Sequence, residues 1–91
     1  AFGDIYARPG LGNKQKVLTT ISALVAQGTP QIGMHVITGL NVGLKPVEIV
    51  GCIMHLIPYV GFPRALNALR VAQDVFAEQG VSVEDLGRFS A

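Results

Sequence analysis

His55-Leu-Ile-Pro-Tyr-Val-Gly-Phe-Pro-Arg-Ala-Leu-Asn-Ala-Leu-Arg-Val-Ala72 is the stretch on which the reading of the fold turns. It closes one apolar helix, turns through Gly61 and Phe62, and opens a second helix at Pro63. A proline suits the start of a helix, because amides of the first turn have no intrahelical partner to lose. Pro58 lies in the last turn of the first of these helices. It lacks an N–H and crowds the carbonyl of Met54, so the helix should kink or end beside His55.

Upstream, the same punctuation marks three more boundaries. Asn13 can cap a helix from Lys14 to Gln27, with Val17, Leu18, Ile21, Leu24 and Val25 on one face and Gly28 as its stop. Thr29 then caps a second helix, with Pro30 in its first turn and Gly43 as terminator. Gly33 and Gly39 weaken this helix by roughly 1 kcal/mol each relative to Ala, a cost accepted where another backbone packs close. The third helix starts at Pro46, with Glu48 near the positive end of its dipole and a Leu44 to Ile49 staple. From Val47 to Val60 it is apolar nearly all round, as a central helix is.

Downstream, residues 63 to 79 repeat Leu66, Leu69, Ala72, Val75 and Phe76 on one face and stop at Gly80. Ser82-Val-Glu-Asp85 can cap a short last turn. No strand-like alternation, internal repeat or low-complexity segment interrupts the pattern. The fold class is therefore all-α, a helical bundle built round the antiparallel hairpin of the second and third helices.

Composition narrows the function classes. The chain has 91 residues, 49% of them apolar and 14% charged, with a net charge of +1. A single domain of this size buries only about 60 to 65% of its unfolded surface, so the apolar surplus argues for subunit association. The seven Lys and Arg are dispersed, which gives no basic field for nucleic acid. One cysteine, Cys52, excludes an internal disulfide and a CxxC redox pair, and it fits a reducing cytoplasm. The uncharged run from Val17 to Leu44 is long enough to raise a membrane hairpin, but Gly28-Thr29-Pro30-Gln31 interrupts it and two helices of a soluble protein explain it better. The chain opens on Ala1-Phe-Gly-Asp4, which reads as the middle of a longer element, so a preceding N-terminal segment is expected.

Chemistry-bearing residues gather on the hairpin. His35 and His55, Gln31 and Tyr59, and Thr38 and Cys52 are each equidistant from Lys45 in the connection. Within each helix they are three or four apart and share a face. If the two faces meet, two imidazoles, an amide, a phenol, a hydroxyl and a thiol line one seam. Such a seam is either a satisfied polar core or a site, and two imidazoles able to move protons near neutral pH favour the site. Two histidines without a third ligand leave a zinc site incomplete, so no metal is expected. Cys52, on a buried helix far from an evident cation, reads as core rather than nucleophile. Arg8 stands in a loop dense in Gly and Pro, where a solvated charge is the ordinary outcome.

With these residues in view, the chain resembles the carboxymuconolactone decarboxylase family over nearly its full length. The matching stretches are Phe2 to Leu11, His35 with Gly39-Leu-Asn-Val-Gly43, Glu48-Ile49, and His55 with Tyr59-Val-Gly-Phe-Pro63 and Leu66-Asn-Ala-Leu69. The resemblance implies an alkyl hydroperoxidase D-like helical fold, assembly as a trimer or hexamer, and a further helix before Ala1. The redox branch of that superfamily carries CxxC ahead of the second-helix histidine, where this chain has Gly28 and Gln31, so thiol peroxidase chemistry is not expected.

The decarboxylase branch breaks the bond between a ring carbon of a butenolide and its carboxylate. The electron pair delocalises into the lactone carbonyl as a furanolate, and protonation at the far carbon gives the enol-lactone, with no cofactor. The resemblance thus implies an aromatic-degradation lyase in which His35 and His55 supply an oxyanion donor and an acid. Arg8 and Arg64 are candidate carboxylate clamps, with Gln31 and Tyr59 as further substrate contacts. Family members usually carry Glu at the position of Gln31 and often another acid near Gly51. Those departures motivate the alternative, a non-catalytic or small-molecule-binding oligomer on the same scaffold.

Overall fold

The computed structural model describes residues 7–81. Among the described residues five helices succeed one another: α1 (Asn13–Gln27), α2 (Gly33–Asn41), α3 (Pro46–His55), α4 (Ile57–Val60) and α5 (Phe62–Glu78). No strand occurs among the described residues, so the all-α expectation holds. The segment Ser82 to Asp85, expected to cap a last turn, lies outside the described residues.

Helix α1 ends as its sequence dictates, and that ending delays the start of the second helix. Gly28 adopts φ 74°, a left-handed conformation that costs an L side chain about 1–2 kcal/mol and glycine almost nothing. The Gly28 amide then donates to the Val25 carbonyl at 3.0 Å and the Thr29 amide to Leu24 at 3.2 Å. This double closure satisfies carbonyls that the helix end would otherwise leave bare. Thr29 does not cap the second helix: its hydroxyl accepts the Gln31 amide at 3.4 Å, and the helix begins later, at Gly33, after a turn that drops Ile32 into the core at 1% exposure. The same pair of bonds closes α2 through Gly43 and Leu44 and α5 through Gly80 and Val81.

Helices α2 and α3 pack mainly on α1 and α5 and only sparingly on each other. Gly39 explains the close approach: a Cβ placed there would lie 3.0 Å from Leu44 Cδ1 and 3.3 Å from Val17 Cγ1. Gly33 has ordinary van der Waals clearance against Val71 and Val75 of α5. The core that results is Ile21, Ile32, Val36, Ile49, Ile53 and Phe76, each fully buried. Each such side chain contributes about 1.5–3 kcal/mol relative to an exposed one. No polar side chain is buried among the described residues.

Helix α5 keeps most of its expected face: Ala72, Val75 and Phe76 are buried and Leu69 packs half-buried against the core, but Leu66 is 51% exposed and Ala65 and Ala68 are buried in addition. Small side chains at Ala65, Ala68 and Ala72 let α5 lie close against α3 and α2. Helix α3 begins with half a capping box, in which Glu48 Oε1 accepts the Lys45 amide at 2.8 Å. The lysine side chain has no acceptor with which to complete the box. The other end behaves as Pro58 requires: α3 stops at His55, Leu56 breaks the helix, and α4 resumes for one turn.

Candidate active site

The break at Leu56 keeps His55 and Tyr59 on one side of the chain. The Leu56 carbonyl accepts from the amides of Tyr59 at 2.8 Å and Val60 at 2.9 Å, so helical spacing survives the proline. The His55 and Tyr59 rings stand with centroids 5.9 Å apart, tilted 49° to one another. Both are exposed, Tyr59 by 75%, and Met54, Phe62 and Leu66, close to them in sequence, are exposed as well. An imidazole and a phenol side by side offer a group that gives or takes a proton and a second O–H donor.

His35 and Gln31 belong to a different surface. They line an open depression of about 480 Å³ with Pro30, Gly33 and Met34, at the start of α2. His35 is half-buried and Gln31 exposed. No hydrogen bond or ring contact joins this pair to His55 and Tyr59 among the described residues.

The expected mirrored seam therefore does not form within one chain. It required α2 and α3 to face each other, whereas each turns towards α1 and α5. Cys52 shows this directly, for its Sγ lies 3.3 Å from Ser22 Oγ and 3.9 Å from the Leu18 carbonyl, both on α1. Thr38 Oγ1 donates to the Met34 carbonyl of its own helix at 3.1 Å. Neither reaches the other. Cys52 is a half-buried packing residue, in line with its sequence reading.

The two arginines differ. Arg8 is exposed, and its backbone carbonyl accepts Lys16 Nζ at 2.6 Å, which ties the N-terminal loop to α1. Arg64 reaches across the bundle, and its Nη1 donates to the Ala26 carbonyl at 2.6 Å. A cation at the carbonyl end of α1 also suits the helix dipole. Sequence reasoning missed Thr29 and Asn67, which flank Arg64. The signal for Asn67 was its three-residue spacing from Arg64 on one helix face.

The chain is similar to known proteins. Residues 1–74 match the model of the carboxymuconolactone decarboxylase family. The chain belongs to that family. A 4-carboxymuconolactone decarboxylase of Acinetobacter baylyi is 32% identical over 89 residues, covering 97% of this chain and 66% of the relative. A nitrosuccinic acid decarboxylase of Metarhizium robertsii is 32% identical over 74 residues, covering 80% and 52%. An uncharacterized 15.0 kDa protein of Paracoccus denitrificans is 37% identical over 81 residues, covering 86% and 60%. The chain thus spans 52 to 66% of the length of these relatives. Among the described residues no helix is long and apolar enough to cross a membrane.

Proposed function

We propose that this chain is a cofactor-free carboxy-lyase acting on a small carboxylated lactone such as 4-carboxymuconolactone, giving the enol-lactone and carbon dioxide. The observation that carries the reading is the match to a decarboxylase named for that substrate across 97% of the chain. His55 and Tyr59 supply a proton donor and an O–H donor in mutual contact. Decarboxylation needs both: a donor to hold the oxyanion as the C–C bond breaks, and an acid to protonate the carbanion equivalent. His35 and Gln31 are the second half of the site.

The depression that holds His35 and Gln31 includes neither His55 nor Tyr59, and Met54, Phe62 and Leu66, near the latter pair in sequence, are exposed. The reading therefore includes a homo-oligomer, a trimer or hexamer of alkyl hydroperoxidase D-like units in the cytoplasm, whose subunit contacts exclude water from the His55 side. Excluding water strengthens each donor's hold on the developing charge. Arg8, exposed at the loop, is free to clamp a substrate carboxylate.

The test is a spectrophotometric assay of purified protein with 4-carboxymuconolactone, monitoring substrate loss and carbon dioxide release. Turnover supports the reading. A second reading, a ligand-binding homologue without catalysis, is favoured by Gln31, a neutral amide beside His35 where an acid would orient the imidazole. Ligand binding without product would move the conclusion to it.

A further inference from the structure

A second cleft, of about 180 Å³, lies between the closing turn of α1 and the first turns of α5. Val25, Ile32 and Val71 form its apolar wall, and Thr29, Arg64 and Asn67 its polar rim. A cavity of about 150 Å³ holds benzene, so this space admits a five- or six-membered ring with a substituent at the rim. No acidic residue lines it.

Arg64 is prepared for an anion here. Its Nη1 bond to the Ala26 carbonyl uses one donor and pins the guanidinium, while Gly28 lies close behind it, with a hypothetical Cβ 3.3 Å from Arg64 Nε. A guanidinium has five N–H donors in a rigid fork, so four remain. A fixed fork beside an apolar wall suits bidentate carboxylate binding with little ordering cost. Asn67, one turn along the same face, adds amide donors, and the Thr29 hydroxyl keeps its proton to donate while accepting weakly from the Gln31 amide at 3.4 Å.

We propose that this cleft is a carboxylate-anchoring subsite that seats a small carboxylated ring. Pro30 borders both this cleft and the depression holding Gln31 and His35, so the two spaces are neighbours. A substrate with two carboxylates is then divided, the retained one held at Arg64 and the departing one placed near the imidazole. That division rests on the decarboxylase reading. The binding of a carboxylated ring does not.

The experiment is an NMR titration of the protein with benzoate, and with neutral benzamide as the control, read at the Gly28 backbone amide and the Asn67 side-chain amide. The titration is run beside turnover of 4-carboxymuconolactone. Benzoate should shift both signals and benzamide should not. Charge-assisted hydrogen bonds are worth about 1.5–3 kcal/mol, so Arg64→Gln should weaken benzoate about 10- to 100-fold. Asn67→Asp leaves the Arg64 to Ala26 bond in place and puts a competing carboxylate in the cleft. It should weaken benzoate about tenfold or more and raise KM similarly with little change in kcat, and it carries the test if Arg64→Gln folds poorly. Benzoate shifts elsewhere, or unchanged affinity in Asn67→Asp, would overturn the subsite. Benzoate bound in the cleft without lactone turnover would remove the decarboxylase reading and keep the carboxylate site.

Discussion

Helix α5 carries a phenylalanine near each end, and the two live in opposite surroundings. Phe76 is 1% exposed among Ile21, Ile49 and their neighbours, whereas Phe62 is 62% exposed beside the His55 and Tyr59 end of the chain. The apolar surplus of the composition is thus not spread evenly. Met54, Tyr59, Phe62 and Leu66 are uncovered near the start of α5, while Met34, 74% exposed beside His35, is a second uncovered residue at the start of α2. Both histidines thus have exposed apolar neighbours in sequence, whereas Phe76 is enclosed by its own chain.

The largest effect should come from the uncovered end. His55→Ala should lower turnover of 4-carboxymuconolactone by about 10²- to 10⁴-fold, the range for a general acid, with an unchanged size-exclusion profile. Full activity in that variant would detach the open end from the chemistry. Phe76→Ala should cost about 3–5 kcal/mol in denaturant unfolding, while Phe62→Ala at low protein concentration should stay within about 0.5 kcal/mol of wild type. Equal losses would show that the two ends are not different in kind.

Smaller effects belong to the closed end and the helix termini. Gly28→Ala forces an L side chain into φ 74° and crowds Arg64, so it should cost about 1–2 kcal/mol and lower the Tm. Glu48→Ala removes the carboxylate that accepts the Lys45 amide, and about 0.5–1 kcal/mol should be lost in thermal unfolding. No change on Glu48→Ala would show that water replaces the cap without penalty.

Glycine and proline made most of the fold legible. Gly28, Gly43 and Gly80 stop helices where their positive φ values allow the closing bonds, and Pro46, Pro58 and Pro63 mark starts and a break. What was not legible depended on competition or on three dimensions. Thr29 gives its amide to the end of α1, and its hydroxyl accepts the Gln31 amide at 3.4 Å in the turn that precedes Gly33, so the residue closes one helix without capping the next. On α5 the face was legible from Leu69 to Phe76 but not at its first turns, where Ala65 and Ala68 are buried and Leu66 is exposed, because helices approach where side chains are small and hydropathy ranks leucine first. The site was half legible. His55 and Tyr59 meet because local spacing decides them, but pairing them with His35 and Gln31 required the orientation of α2 against α3, which α1 and α5 set.

Pro58 has a consequence in time as well as in shape. Helix α4 is a single turn, held by the Tyr59, Val60 and Gly61 amides bonding to Leu56 and Ile57, and a turn this short has no stability of its own. Its amides should exchange with solvent deuterium through local opening, earlier than those of the buried Ile21 and Val25 in α1. His55 ends the helix before the break and Tyr59 lies beyond it. The two rings therefore stand on segments of unequal local stability, and an opening of the four-residue turn would part them without unfolding the rest.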